Sequence, residues 1–195
     1  MLMKVFPHGT GEGDKPSRYL VRPDYPGRDT APPQVLRGDP AMTRALIDSI
    51  ERRWKFTSGV LAWHPDEKIS EEQEEEVMNA FERVAFAGLE ADQRNILWVR
   101  HTHAGHHELH FLIPRLELSS GKDFNACPPG WQKDFDVFRD LFNWREGWAR
   151  PDDPARARDE LPKKADLFKA RMERWGREIR ESDRDRAKEV IHAFL

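Results

Sequence analysis

The sequence predicts an α+β fold: an antiparallel sheet with flanking helices, followed by C-terminal helices. Three observations predict it. Met1–Phe6, Lys55–Trp63 and the two arms Asn95–His101 and Glu108–Ile113 carry strand patterning. Helix-start signals separate these stretches at Asp39–Pro40 and at Ser70. The last two strand stretches are joined by a turn too short for a helical crossover, so they form a hairpin, and an antiparallel sheet follows.

With 195 residues, 38% hydrophobic and seven Trp, the chain can bury a substantial core. We read residues 1–150 as one domain and 151–195 as a charged helical extension. The one cysteine, Cys127, excludes an internal disulfide and suits a reducing cytoplasm. No signal peptide or membrane-spanning run is present in the sequence, so a soluble cytoplasmic protein with no membrane partner is expected. The net charge of −3 is unevenly spread. Residues 66–92 hold ten acids against Lys68 and Arg83, a local −8 that leaves +5 for the rest. The acidic stretch reads as a solvated helix face, and the remainder permits a nucleic-acid partner.

Along the chain, Met1–Phe6 alternates as a strand, and Pro7–Pro16 is a loop whose glycines either connect or let backbone approach a phosphate. Ser17–Arg22 makes one or two helical turns that expose Tyr19. Pro23–Pro33, with four prolines, is a linker or covering loop. Asp39 as N-cap and Pro40 at the first helical position open a helix to about Trp54, with Leu46, Ile47 and Ile50 inward. Ser70 and Gln73 form a capping box opening a helix to about Ala87, with Val77, Phe81 and Val84 inward. Ser119–Lys122 is a tight turn and Asp123–Gly130 a loop. Phe135, Phe138, Leu141, Phe142, Trp144 and Trp148 space as one helix with an aromatic core face. Asp159–Phe194 is charged with sparse apolar residues and suggests long helices.

Chemistry concentrates between His101 and His110, where ten residues hold five of the eight histidines. Residues i and i+2 of a strand share a face, so Glu108 and His110 project together about 7 Å apart, with Leu109 and Phe111 opposite. The turn Ala104–Gly105 reverses the chain and brings His101 alongside. His101, Glu108 and His110 then form a metal triad with open coordination positions. Imidazole and carboxylate suit Zn²⁺, Mn²⁺, Ni²⁺, Co²⁺ or Mg²⁺ rather than a thiophilic ion, and of these Mg²⁺ or Mn²⁺ is expected. The spacing of three in His107–His110 is not the helical zinc-protease pattern.

The stretches Gly9–Gly13 with Arg18-Tyr19-Leu20, Val35–Pro40, Phe56–Leu61, Phe86–Leu89, Asn95–Val99 and His101-Thr-His with Glu108–Pro114 together resemble the relaxase (nicking) domain of the MobA/VirD2 class, over roughly residues 4–150. They are similar in order to the mobilisation relaxases of ColE-type plasmids. The resemblance implies an HUH-endonuclease-like fold and a metal-dependent enzyme that nicks one DNA strand at a plasmid transfer origin. It implies Tyr19 as the nucleophile that forms a 5′-phosphotyrosyl link. The wider class holds its metal with a His and a His-hydrophobic-His pair, and the ColE-like subgroup with His, Glu and Asn. His101 with Glu108-Leu109-His110 stands between these patterns, and His103 replaces an Asp common in the class. The resemblance also implies a monomer working with accessory mobilisation proteins and a coupling ATPase. Members usually continue past the nicking domain, so both a piece of a longer protein and a naturally short one are open.

Of two tyrosines, Tyr19 lies between Arg18 and Arg22, and Tyr25 in the proline-rich loop is the second candidate. A phenol near pKa 10 needs a base or cationic field to ionise. His103 is the candidate that accepts this proton or orients His101. Arg18, Arg22, Arg28, Arg37, Arg100 and Lys122 flank the centre in sequence and are the candidate phosphate contacts on a single-stranded or extruded origin. A rolling-circle replication initiator, a non-catalytic DNA-binding protein and a hydrolase using activated water are the competing functions.

Overall fold

Five strands form one sheet in the order β1-β3-β5-β4-β2, every neighbouring pair antiparallel. In chain order the elements are β1 (Leu2–Val5), α1 (Asp14–Val21), β2 (Gln34–Arg37), α2 (Pro40–Asp48), β3 (Phe56–Ala62), α3 (Glu71–Ala85), β4 (Leu97–His101), β5 (Glu108–Pro114) and α4 (Gln132–Glu146). This computed structural model describes residues 1–150; the helical extension expected over 151–195 lies outside the described residues. The α+β expectation with an antiparallel sheet holds. No helix among the described residues is long and apolar enough to cross a membrane.

The sheet has two unlike faces, fixed by side-chain alternation. On one face Met3, Leu61, Trp98, Leu109, Phe111 and Ile113 meet α3 and α4 in the main core. Phe81 of α3 is its centre, fully buried, with the Trp98 ring at 5.0 Å, Phe111 at 4.6 Å and Phe135 at 5.1 Å. On the other face a smaller core joins Leu97, Val99 and Leu112 to Leu20 of α1 and Ile47 of α2. The sheet interior leaves no room at Gly59, where an added Cβ would fall 2.3 Å from the Phe111 ring.

Local signals explain the helix ends. Asp39 accepts from the Met42 amide, and Pro40 follows at a position whose N–H has no partner to lose. Ser70 and Gln73 form the reciprocal capping box. α4 stops at Gly147 in the left-handed region (φ 67°), which turns Trp148 back against Trp63 at 5.5 Å.

Several elements differ from expectation. α2 ends at Asp48 rather than near Trp54, because Glu51, Arg52, Arg53 and Trp54 are all exposed and supply no apolar stripe. β2 is an edge strand of four residues that sequence reading left unassigned; such a strand buries little, and Val35 is exposed. On α4 only Phe135, Phe138 and Phe142 face the core, while Leu141 and Trp144 lie on the opposite side, Trp144 80% exposed. The acidic helix is not a uniform solvated face. Glu74 and Glu82 of α3 are buried, where Glu74 takes two hydrogen bonds from Arg100 (2.9 and 3.1 Å) and Glu82 takes Arg37 (2.5 Å) and the Trp98 indole (3.1 Å). The glycine loop is a packing device: Gly9 bridges Phe56, whose ring an added Cβ would meet at 1.9 Å, and the Gly13 amide donates to Asp48 (2.7 Å).

Removing the central ring should be the costlier of two tests. Phe81→Ala is expected to lower stability by about 3–5 kcal/mol, and Ser70→Ala by about 1 kcal/mol, measured by urea unfolding followed through tryptophan fluorescence.

Candidate functional site

The β4–β5 hairpin builds the site. Gly105, at φ 80°, makes the reversal that a residue with a Cβ would strain, and register then pairs His101 with Glu108 and Val99 with His110. Direct partners share a face, so His101, Glu108 and His110 converge on the α1/α2 side, with one ligand atom from each all within 4.8 Å of one another. His101 and His110 are buried and Glu108 is half-buried.

The hydrogen bonds fix protonation. The Leu20 carbonyl can only accept, so the 2.8 Å contact assigns the His101 proton to Nε2. The Nδ1 lone pair then accepts from Arg28 Nη2 at 3.3 Å. Burial is the main force lowering the His101 pKa, to about 4; the Leu20 carbonyl opposes it, and His110 and Arg28 add to it. The imidazole is neutral at pH 7, as a ligand must be. Burial works to raise the Glu108 carboxyl, but His110 and His106 outweigh it and hold it at about 2. His110 Nε2 lies 3.1 Å from one carboxylate oxygen and His106 Nε2 3.0 Å from the other. An ionised carboxylate between two imidazoles makes a donor set that fits a divalent cation, which would take the His101 Nδ1 lone pair in place of Arg28 Nη2.

α1 covers the triad. Tyr19 is 43% exposed, its ring 6.4 Å from that of His101 and 5.7 Å from Tyr25. Arg28 is fully buried beneath both, its guanidinium 5.1 Å from the Tyr19 ring and 4.8 Å from the Tyr25 ring. It donates to the carbonyls of Tyr19 (2.6 Å) and Arg22 (3.0 Å) at the end of α1. Burial, then the Tyr25 neighbour, raises the Tyr19 phenol above its ordinary value, and Arg28 works the other way. His103 stands 5.3 Å from the His101 ring and 5.7 Å from Tyr25, its Nδ1 buried without a partner. Burial and then Arg28 lower its pKa.

The candidate phosphate contacts do not gather there. Arg28 has no exposed surface to offer a strand. Arg37 and Arg100 lie on the opposite face of the sheet, held by Glu82 and Glu75, and by Glu74. Lys122 follows the far end of β5, roughly 20 Å from Glu108 at strand rise. Arg18 pairs with Asp14 on the side of α1 that faces α2. Arg22 remains near the tyrosines, over the Tyr25 ring at 5.6 Å and 3.4 Å from Asp24. His106 orients Glu108, a role the sequence does not single out because the path of the loop around Gly105 decides which hairpin histidine turns inward. Sequence reading also missed Lys4 and Phe6, which β1 alternation places on the triad side. His107 instead meets buried Glu74 at 2.6 Å and is structural.

The family model of the MobA/VirD2-like relaxase nuclease domain matches residues 40–143, a span that includes the triad and begins after Tyr19. The chain is 40% identical over 159 residues to cryptic plasmid protein C of Neisseria gonorrhoeae, covering 80% of this chain and 75% of that protein. It is 35% identical over 168 residues to DNA relaxase MbeA of Escherichia coli, covering 83% of this chain but 32% of that longer protein. No solved structure matches significantly. The chain belongs to the MobA/VirD2-like relaxase nuclease-domain family.

Titration calorimetry with Mn²⁺ should separate ligands from bystanders. His101→Ala, Glu108→Ala and His110→Ala are expected to abolish measurable binding, and His106→Ala to weaken it by about 10–100-fold as an outer partner. Arg37→Ala, on the other face, should leave the affinity unchanged.

Proposed function

We propose that this chain is a DNA-nicking relaxase domain that cuts one strand at a plasmid transfer origin, single-stranded or extruded, with Tyr19 as the nucleophile. The observation that carries the reading is the hydrogen bond from His101 of the triad to the carbonyl of Leu20, the residue next to Tyr19. That bond ties the phenol-bearing helix to the metal ligands and supports nucleophile and triad acting on one phosphate.

The chemistry follows from these groups. The Tyr19 oxygen attacks phosphorus, the bond to the 3′ oxygen breaks, and the products are a 5′-phosphotyrosyl link and a free 3′ hydroxyl. Phosphoester count is conserved, so the step reverses when a 3′ hydroxyl returns. A divalent ion held by His101, Glu108 and His110, Mg²⁺ or Mn²⁺ by preference for this oxygen-rich reaction, would neutralise charge developing on the phosphoryl oxygens. His103 accepts the phenol proton: burial favours its neutral form, and its Nδ1 has no competing partner among the described residues. Arg28 beneath both tyrosine rings favours the phenolate over the phenol.

The test uses a random-sequence single-stranded 40-mer pool with Mn²⁺, followed by denaturing capture of strands covalently bound to protein. Wild type should yield an adduct with a recurrent sequence at the cut. Tyr19→Phe should abolish it, while Tyr25→Phe should retain it within a few-fold. Cleavage that persists in Tyr19→Phe without an adduct would mean hydrolysis by water and sink the tyrosine mechanism. A non-catalytic DNA-binding protein predicts binding with no cut strand in any variant.

A further inference from the structure

Arg28 is a fully buried cation set against a metal-ligating imidazole. The outer partner of a ligating histidine is ordinarily a carboxylate or a carbonyl, which makes the ring a better ligand. The Leu20 carbonyl does this at His101 Nε2, 2.8 Å away. Arg28 does the reverse. Its Nη2 donates at 3.3 Å to Nδ1, the nitrogen left to face an ion. A cation so placed occupies the lone pair and repels a divalent charge.

We propose that Arg28 is a placeholder for the metal and a latch between the triad and the tyrosines: it satisfies the His101 lone pair in the metal-free protein, and on loading it gives up that nitrogen and turns within its enclosure. This role rests on the reading of His101, Glu108 and His110 as the metal site. The placeholder half follows from burial. An imidazole nitrogen inside protein with no donor is costly, so a metal-free triad needs a partner at Nδ1 to keep its shape.

The latch half follows from what else the same guanidinium holds. Nη1 donates to the carbonyls of Tyr19 at 2.6 Å and Arg22 at 3.0 Å, at the end of α1. The guanidinium carbon lies 5.1 Å from the Tyr19 ring and 4.8 Å from the Tyr25 ring. The Arg28 amide donates to the Tyr25 carbonyl at 3.0 Å, closing a turn through Gly27 (φ 83°), so Tyr25 and Arg28 belong to one unit. A guanidinium is a rigid plane, and Nη2 cannot withdraw from His101 unless Nη1 and the face against the two rings move with it. Nε is buried with no partner among the described residues, so the turn breaks no bond there. Loading the triad thus changes the setting of both tyrosines, and by reciprocity whatever Arg28 withholds from the ion the ion withholds from Arg28.

The direction of one affinity change separates a latch from a plain structural arginine. Arg28→Met removes donor and charge at similar size; if Arg28 only braced α1, its loss would loosen the site and weaken metal binding. Titration calorimetry should instead show Mn²⁺ bound about tenfold more tightly by Arg28→Met than by wild type, the scale of one hydrogen bond from a charged donor. Arg28→Lys, which keeps the charge without the fork, should fall between the two. Circular dichroism confirms that each variant folds. A second measurement needs only wild type, with diamagnetic Zn²⁺ as the probe. In nitrogen-15 spectra the Arg28 guanidinium hydrogens should exchange with water at least about tenfold faster once Zn²⁺ is bound, and the ring signals of the chain's two tyrosines should both move. Unchanged or weaker Mn²⁺ binding by a folded Arg28→Met, or guanidinium exchange unaltered at saturating Zn²⁺, overturns the latch and leaves the metal site standing. Failure of wild type to bind either ion overturns the metal site and the latch with it.

Discussion

The hydrogen bond between His101 Nε2 and the Leu20 carbonyl joins the two halves of the site. One partner is a strand residue whose place is set by the β4–β5 register; the other is in a short helix that has few other ties to the sheet. An eight-residue helix is too short to persist by propensity alone, so its position must come from tertiary contacts. Leu20 supplies two of them at once, its side chain in the small core and its carbonyl on His101. Arg28 holds the C-terminal end, donating to the carbonyls of Tyr19 and Arg22 and to the same imidazole, while Asp14 with Arg44 and the Gly13 amide with Asp48 hold the other end to α2. The phenol beside Leu20 is held by this arrangement and by its ring contacts with Tyr25 and Arg28.

The division of labour between sheet faces makes such an economical site stable. The large aromatic core, with Phe81 at its centre and α3 and α4 above it, provides most of the burial. The opposite face has a core of five buried residues and a part left open along β1 and β3. A fully covered face would have no room for substrate. The buried acids Glu74 and Glu82 belong to the supporting face. Each is a charge taken out of water, and such a group is tolerable only with good partners, which Arg100, Arg37 and Trp98 provide. Those arginines are thereby committed to structure and are turned away from the triad.

What could be read from the sequence was what short-range periodicity and local hydrogen bonding determine. The hairpin with Glu108 and His110 on one face, the capping box at Ser70 and the Asp39–Pro40 helix start all depend on residues within four positions of one another. Arg28 was legible as a cation but not as a buried one, because its partners lie 6, 9 and 73 residues away. A different limit hid His106. Its closeness to Glu108 needs only a two-residue offset, but which of three hairpin histidines turns inward depends on the loop's path around Gly105. Trp144 and Leu141 misled for another reason: apolar residues at mixed spacings of one to four fit more than one helical stripe, and only packing chose Phe135, Phe138 and Phe142.

Placement of the cations bears on how a polyanion could be held by a chain with net charge −3. Only charge that faces the substrate path within about a Debye length contributes to its attraction. Glu74 and Glu82 are paired with Arg100 and Arg37 on the far face, and Glu75 and Glu76 with Arg37 and Arg145. The acidic helix is therefore removed from the triad both by the thickness of the sheet and by its own ion pairs. On the near face Arg28 is buried against His101, Arg18 and Arg44 are paired with Asp14 and Asp48, Glu108 is tied up by two imidazoles, and Lys4 and Arg22 lie toward the opening. With so much of its charge already paired, this face has little free cationic surface with which to attract phosphate in general.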